Sequence, residues 1–372
     1  MNLPAPSPST PGLEPIEQGP FATIKVPQLI RALVVDDSAF VRKVVREMLA
    51  RSPFIEVVGA ARDGEEALQL VEELKPDVVT CDLTMPRLDG VGFVRAQMAR
   101  RALPILILSA SPQDGGQVIE ALNAGAVDFV QKPTALATEA LLGIRETLVD
   151  KVKAAMRAPI DNLTPRPVPA AATTAFAPRN NGLKVDAVLI GISTGGPQAL
   201  RHLLPQFPAD FPVPVAMVLH MPVGYTALFA EKLNEISALT VQEAKDGDLF
   251  LPGTALLAPA GRHLLMRRNA GGDLVAQLSM QPIEKIHRPS VDVLFQSAAE
   301  VLRERVLGVV MTGMGDDGKQ GAAWIKAQGG TVLTESEKSC IIYGMPRSVV
   351  EAGLSDLAVP LGDMAQTIFQ TI

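Results

Sequence analysis

The chain has 372 residues, 47% of them hydrophobic and 20% charged, with a formal net charge of -6; that suffices for about two cores of ordinary size in a soluble protein. The acidic balance, without a basic stripe, argues against nucleic acid or an anionic membrane as partner. Its two cysteines, Cys81 and Cys340, offer neither a disulfide framework nor a metal knuckle, which fits a reducing cytoplasm.

Residues 1–28 begin MNLPAPSPSTPGLEPIEQGP. They lack the basic and apolar regions of a secretory leader, and their prolines predict a disordered extension. Residues 29–153 then alternate short β-branched runs with amphipathic stretches. "RALVVDD" leads into "SAFVRKVVREMLA", "IEVVGAA" into "DGEEALQLVEELK", and "PDVVTCD" into "GVGFVRAQMAR". "LPILILSA" leads into "GQVIEALNAG", and "AVDFVQKP" into "ATEALLGIRETLVDKVKAA". Five strands alternating with five helices predict a flavodoxin-like parallel sheet covered on both faces.

Ligands of such sheets gather outside the carboxyl ends of the strands. Those ends carry Asp36 and Asp37, Asp82, Ser109 and Lys132. Three carboxylates converging on one rim repel each other unless a cation lies among them, and an all-oxygen set suits Mg2+. The lysine and serine offer donors to an anion beside that metal, which describes a phosphoryl site. One acid at a strand end is ordinarily a solvated residue or a helix cap; five polar groups at corresponding ends are a pattern. The segments "VVDDS", "CDLTMPRLDG", "LSA" and "DFVQKP" make this region resemble the receiver domain of bacterial two-component response regulators. The resemblance implies that Asp82 accepts a phosphoryl group, and that Asp36, Asp37 and Asp82 hold Mg2+ with the backbone carbonyl of Thr84. It also implies that Ser109 and Lys132 contact the phosphoryl oxygens.

Residues 154–183 are rich in Pro, Ala, Thr and Asn, a composition expected of an interdomain linker. Residues 184–372 alternate again, with strands predicted near 185–191, 213–219, 254–258, 307–311 and 331–334. "HLLMRRNAGGDLVAQLSM" reads as a hairpin turning at Ala270-Gly271-Gly272. A second, Rossmann-like α/β unit with a small antiparallel insertion is expected. Its first strand runs into "GISTGG", where Gly191, Ser193 and Gly195 satisfy the G-x-S-x-G pattern that exposes a nucleophile above a sheet. A serine nucleophile needs a base. His220 ends "PVPVAMVLH", on the same rim as Ser193, whereas His202 follows on a helix, His263 lies in the hairpin and His287 in "KIHRPSVD". "TGMGDDG" offers Asp316 or Asp317 as the orienting acid, although a bare Asp-Asp-Gly step fits a turn equally well.

The order Ser193, His220, Asp317 differs from that of α/β-hydrolases, in which the acid precedes the histidine. That order and the segments "GISTGG", "HMP", "LPG", "APAGRH", "HRPSVDVLF", "TGMGDDG" and "YGMPRSVVEAG" resemble the chemotaxis protein-glutamate methylesterase family. The receiver–linker–hydrolase arrangement matches too. This resemblance implies Ser193 as nucleophile, His220 as general base and Asp317, rather than Asp316, as its partner. Thr194 and the Met314 backbone are placed beside the oxyanion, with His287 and Arg288 lining the substrate cleft. No cofactor is expected for the hydrolase. The implied enzyme is cytoplasmic and monomeric, without membrane insertion. It hydrolyses glutamyl methyl esters and deamidates glutamines on methyl-accepting chemoreceptors, with a chemotaxis histidine kinase as phosphodonor. The unphosphorylated receiver is expected to cover the hydrolase cleft. A general esterase, a DNA-binding response regulator and a non-enzymatic adaptor are the rival readings. The acidic charge weighs against the second and the filled triad positions against the third.

Overall fold

The structure, a computed structural model, describes residues 29–132, 138–164, 166–172 and 184–372. The extension expected over residues 1–28 lies outside the described residues. Strands β1 (Ile30–Val35), β2 (Ile55–Ala61), β3 (Val78–Asp82), β4 (Ile105–Ser109) and β5 (Asp128–Gln131) form one sheet in the order β2-β1-β3-β4-β5. Every pairing is parallel. Every residue of β3 and β4 is buried, as required of a parallel sheet covered on both faces, and this is why these strands read as unbroken apolar runs. The strand order reverses between β1 and β3, opening a crevice at their carboxyl ends. Side-chain caps start the neighbouring helices: Ser38 accepts from Val41 N, and Asp63 from Glu65 N and Glu66 N.

The second sheet has seven strands. They are β6 (Ala187–Ile192), β7 (Val215–Leu219), β8 (Thr240–Glu243) and β9 (Thr254–Leu257), and then, after a hairpin of β10 (His263–Arg268) and β11 (Leu274–Ser279), β12 (Val306–Val310), β13 (Thr331–Glu335) and β14 (Leu357–Val359). Their order is β14-β13-β12-β6-β7-β9-β8, again all parallel, while the hairpin is antiparallel. Asn269 shapes the hairpin turn, its Oδ1 accepting from Gly271 N and Asp273 N. The sheet is two strands wider than the sequence predicts, because β8 and β14 are added at its edges.

One apolar cluster crosses from the first sheet to the second, so the two halves pack directly on each other. At its centre the Phe129 and Tyr225 rings meet at 4.8 Å, tilted by 55°. Gln198, on the helix Gly196–Leu203, donates to the carbonyl of Leu122 at 3.1 Å and also to that of Ala126. The stretch read as a linker is more than a tether where it is described. Leu163 is 2% exposed, and Asn162 Nδ2 donates to the carbonyls of Lys338 (3.0 Å) and Cys340 (2.9 Å).

Candidate active site and phosphoryl site

At the rim of the first sheet, Asp36 directly follows β1 and Asp82 ends β3, both buried, while Asp37 is exposed. Oxygen atoms of all three carboxylates lie within 4.8 Å of one another, a spacing and donor set that fit a hard divalent cation. Lys132 follows β5, and its Nζ lies 2.8 Å from Asp36 Oδ2 and 2.8 Å from Asp82 Oδ1. Burial pushes the Asp82 carboxyl above its usual range, with Lys132 opposing and Asp36 adding to the shift. The same burial pulls down the Lys132 ammonium, but the two carboxylates outweigh it and raise its pKa. Thr84 lies exposed in the bend after β3. Ser109 is buried, and its Oγ lies 2.9 Å from Tyr225 OH, a residue of the other half of the molecule.

At the rim of the second sheet, Ser193 follows β6 immediately and its N–H donates to Thr312 O at 3.0 Å. Gly195 takes a φ of +79°, which lets the chain turn straight into the helix at Gly196. Gly313 is needed for another reason: a Cβ there would stand 2.8 Å from Ser193 Cβ and 2.4 Å from Met345 Sδ. The backbone at Gly313, next to Met314, therefore runs against the serine side chain. His220 follows β7, and its N–H donates to Ile192 O at 3.2 Å, beside Ser193. Its Nε2 lies 2.8 Å from Asp317 Oδ2. Its Nδ1 is buried and has no hydrogen-bond partner among the described residues.

Of the two adjacent acids, Asp317 is buried and Asp316 exposed, so the Asp-Asp-Gly step is more than a turn. Burial alone would raise the Asp317 carboxyl. Hydrogen bonds from His220 and from the backbone of Asp292 and Val291 outweigh it and hold the group well below the usual carboxylate range. His287 stacks on His220 with ring centroids 4.1 Å apart and planes 16° from parallel. Burial, assisted by His220, lowers His287 from 6.5 to about 4, so it is neutral at pH 7. Arg288 is half-buried and donates to Ile283 O at 2.8 Å. His202 and His263 stand apart: His263 Nε2 lies 3.1 Å from Pro282 O, and Gln206 binds the backbone carbonyl of His202.

The Thr194 hydroxyl donates to Asp128 Oδ2 at 2.6 Å, and Lys151 Nζ reaches the same oxygen at 2.8 Å. Together with the Tyr225–Ser109 contact, this brings both predicted sites to one interface. Sequence reasoning missed Asp128, Tyr225, Ser290 and Asp292. Three of these four stand in segments singled out for other reasons, "DFVQKP" and "HRPSVDVLF", where their neighbours drew attention instead.

Comparison with known proteins finds two families along the chain. Residues 32–141 match the family described as response regulator receiver domain, and residues 188–368 match CheB methylesterase. The chain is similar to protein-glutamate methylesterase/protein-glutamine glutaminase 5 of Myxococcus xanthus, with 50% identity over 90% of this chain and 96% of that one. A protein-glutamate methylesterase/protein-glutamine glutaminase of Symbiobacterium thermophilum is 43% identical over 94% of this chain and 98% of its own. Among solved structures, the catalytic domain of Thermotoga maritima CheB methylesterase is 37% identical, covers 50% of this chain and 99% of that one, and has a TM-score of 0.49.

Proposed function

Since the chain belongs to the CheB protein-glutamate methylesterase/protein-glutamine glutaminase family and carries a response-regulator receiver, we propose that Ser193, His220 and Asp317 perform its hydrolysis under the control of Asp82. The observation that carries this reading is the buried 2.8 Å pair of His220 Nε2 with Asp317 Oδ2. It leaves Nδ1 as the ring nitrogen available to the serine. Ser193 Oγ attacks the γ-carbonyl carbon of a glutamyl methyl ester while His220 Nδ1 takes its proton. Backbone donors around Thr194 and Met314 stabilise the oxyanion. The tetrahedral intermediate collapses as His220 returns the proton to the departing methanol, or to ammonia when a glutamine is the substrate. Water, deprotonated by His220, then releases the γ-carboxylate and restores the serine. Asp317 holds the imidazole in the required tautomer and stabilises its protonated form. His287 and Arg288 line the approach of the side chain.

The substrates are methyl-accepting chemoreceptors in the cytoplasm, and the phosphodonor is a chemotaxis histidine kinase. Asp36, Asp37, Asp82 and the Thr84 carbonyl would hold Mg2+, which when bound offsets the charge crowded at the phosphoryl site. Lys132 and Ser109 orient the phosphoryl oxygens. The receiver occupies residues 29–153, a linker 154–183 and the hydrolase 184–372. The docked arrangement is the resting one, because Asp128 holds the hydroxyl of Thr194 beside the nucleophile. Phosphorylation of Asp82 favours undocking through the differential affinity of the two states. Methanol release from methyl-esterified receptor tests the reading: Ser193→Ala is expected to lose roughly a thousandfold or more in rate. Near-normal turnover in that variant refutes it.

A further inference from the structure

Behind the His220–Asp317 pair, two helices start side by side, and each is capped by an acid belonging to the other. The helix Val291–Leu302 begins after Ser290, and the helix Lys319–Ala327 begins just after Asp317. Asp317 Oδ1 accepts from Ser290 Oγ at 2.8 Å and from Asp292 N at 3.0 Å. Its Oδ2 accepts from Val291 N at 2.8 Å and meets His220 Nε2 at 2.8 Å. In return, Asp292 Oδ1 accepts from Gly318 N (2.9 Å) and Gly321 N (2.8 Å). Asp292 Oδ2 pairs with Lys285 Nζ at 2.9 Å, two residues before His287. Gly321 allows this contact, since a Cβ there would lie 3.0 Å from Asp292 Cα and 2.6 Å from Phe295 Cβ.

A helix start leaves its first N–H groups without intrahelical partners, and a local Ser, Asp or Asn ordinarily satisfies one of them. An exchange of two buried carboxylates between helices does more: neither acid can shift without releasing N–H donors of the other helix. We propose that Ser290 and Asp292 are positioning residues for the hydrolysis. Ser290 occupies Asp317 Oδ1 and so directs Oδ2 at His220, while Asp292 fixes the segments carrying Asp317 and His287. This rests on the triad reading above.

Ser290 also shares the carboxylate's charge. Without its hydroxyl, more of the Asp317 charge faces the imidazolium that forms at His220 during attack. Among the described residues, the charged or titratable groups near this stack include His287 above the ring, Asp316 in the acid's loop, Lys151 from the receiver helix and His263, which interacts with Asp317. Asp292→Asn keeps an oxygen for the two glycine N–H groups but presents an amide to Lys285.

The test uses the full-length protein with acetyl phosphate and Mg2+, reading the rate at which a fluorophosphonate labels Ser193 across pH and methanol release from methyl-esterified receptor. Ser290→Ala is expected to move the acid limb of labelling up by about half a unit, roughly a threefold slower rate at a fixed pH on that limb. Ser290→Thr restores the profile. Asp292→Ala lowers kcat for methanol release by about tenfold, and Asp292→Asn recovers much of that loss. Should Ser290→Ala and Asp292→Ala lower the melting temperature while labelling with the wild-type pH profile and releasing methanol at the wild-type kcat, the two residues are structural caps and the proposal is overturned. If Ser193→Ala is labelled as fast as the parent, the triad reading itself fails and takes this one with it.

Discussion

Asp82 and Asp317 occupy similar places, at or beyond the carboxyl end of a buried parallel strand, and are 5% and 8% exposed. Their carboxyls nevertheless move in opposite directions: burial raises Asp82, while Asp317 is held far down. The number of donors decides the outcome. Four hydrogen-bond donors converge on Asp317, filling both oxygens. Asp82 receives Leu83 N at 2.7 Å and a lysine that it shares with Asp36. A carboxylate whose lone pairs are occupied is a fixture that holds something else. One left short of donors, beside a second acid, keeps lone pairs open to a cation, which suits the phosphoryl acceptor proposed at Asp82.

The largest expected effect comes from breaking the fixture. Asp317→Asn should keep the capping oxygen yet lower kcat for methanol release by about a thousandfold or more, because the amide favours the wrong histidine tautomer. Asp316→Asn, at the exposed neighbour, should stay within about twofold. Equal losses in the two variants would erase the contrast between a buried acid and a surface one. Next in size is Asp82, the proposed phosphoryl acceptor. Acetyl phosphate with Mg2+ should stimulate the full-length enzyme by roughly tenfold, and Asp82→Asn should remove the stimulation while leaving the unstimulated rate near that of the parent.

Tyr225→Phe should have a smaller effect. The phenol lies 2.9 Å from Ser109 Oγ and donates to Ser111 O at 2.8 Å, and its removal should raise the rate without phosphodonor by about two- to fivefold, as befits loss of a net hydrogen bond or so. The ring packing against Phe129 survives in that variant. An unchanged basal rate would mean that the hydroxyl plays no part in docking. The smallest effect is on stability. His287 is lowered from 6.5 to about 4, so the unfolded chain binds the extra proton first as pH falls. The stability held by neutral His287 is therefore intact above about 6.5 and is lost as pH drops toward about 4. Burial also lowers His202 and His263, and His287→Gln should flatten part of the melting-temperature decline between pH 6.5 and 5.

The strand ends were legible in the sequence because parallel strands buried on both faces read as apolar runs, and the next polar residue marks the rim. Asp36, Asp82, Ser193 and His220 all follow that rule. The edge strands were not legible: β8 reads Thr-Val-Gln-Glu with one buried residue, and β14 reads Leu-Ala-Val with two of its three positions exposed. An edge strand has a sheet neighbour on one side alone, so its sequence need not be apolar. The contacts of Asp128 with Thr194 and of Ser109 with Tyr225 join residues 66 and 116 positions apart. No local pattern encodes such pairs. Ser290 and Asp292 look like an ordinary helix start, and their partner Asp317 is visible only once two helices are seen side by side.

If Ser109 is to contact a phosphoryl group on Asp82, as proposed, its single hydroxyl has to leave Tyr225. Linkage between two equilibria runs both ways with one factor. However much phosphorylation weakens docking, docking weakens phosphorylation equally. On the proposed docking, the hydrolase half is an antagonist of the phosphodonor, and a tighter interface would call for more donor before the enzyme responds. On that proposal the threshold of the response would be set by the strength of an interdomain seam, and tuning it would need no change to the chemistry at either rim.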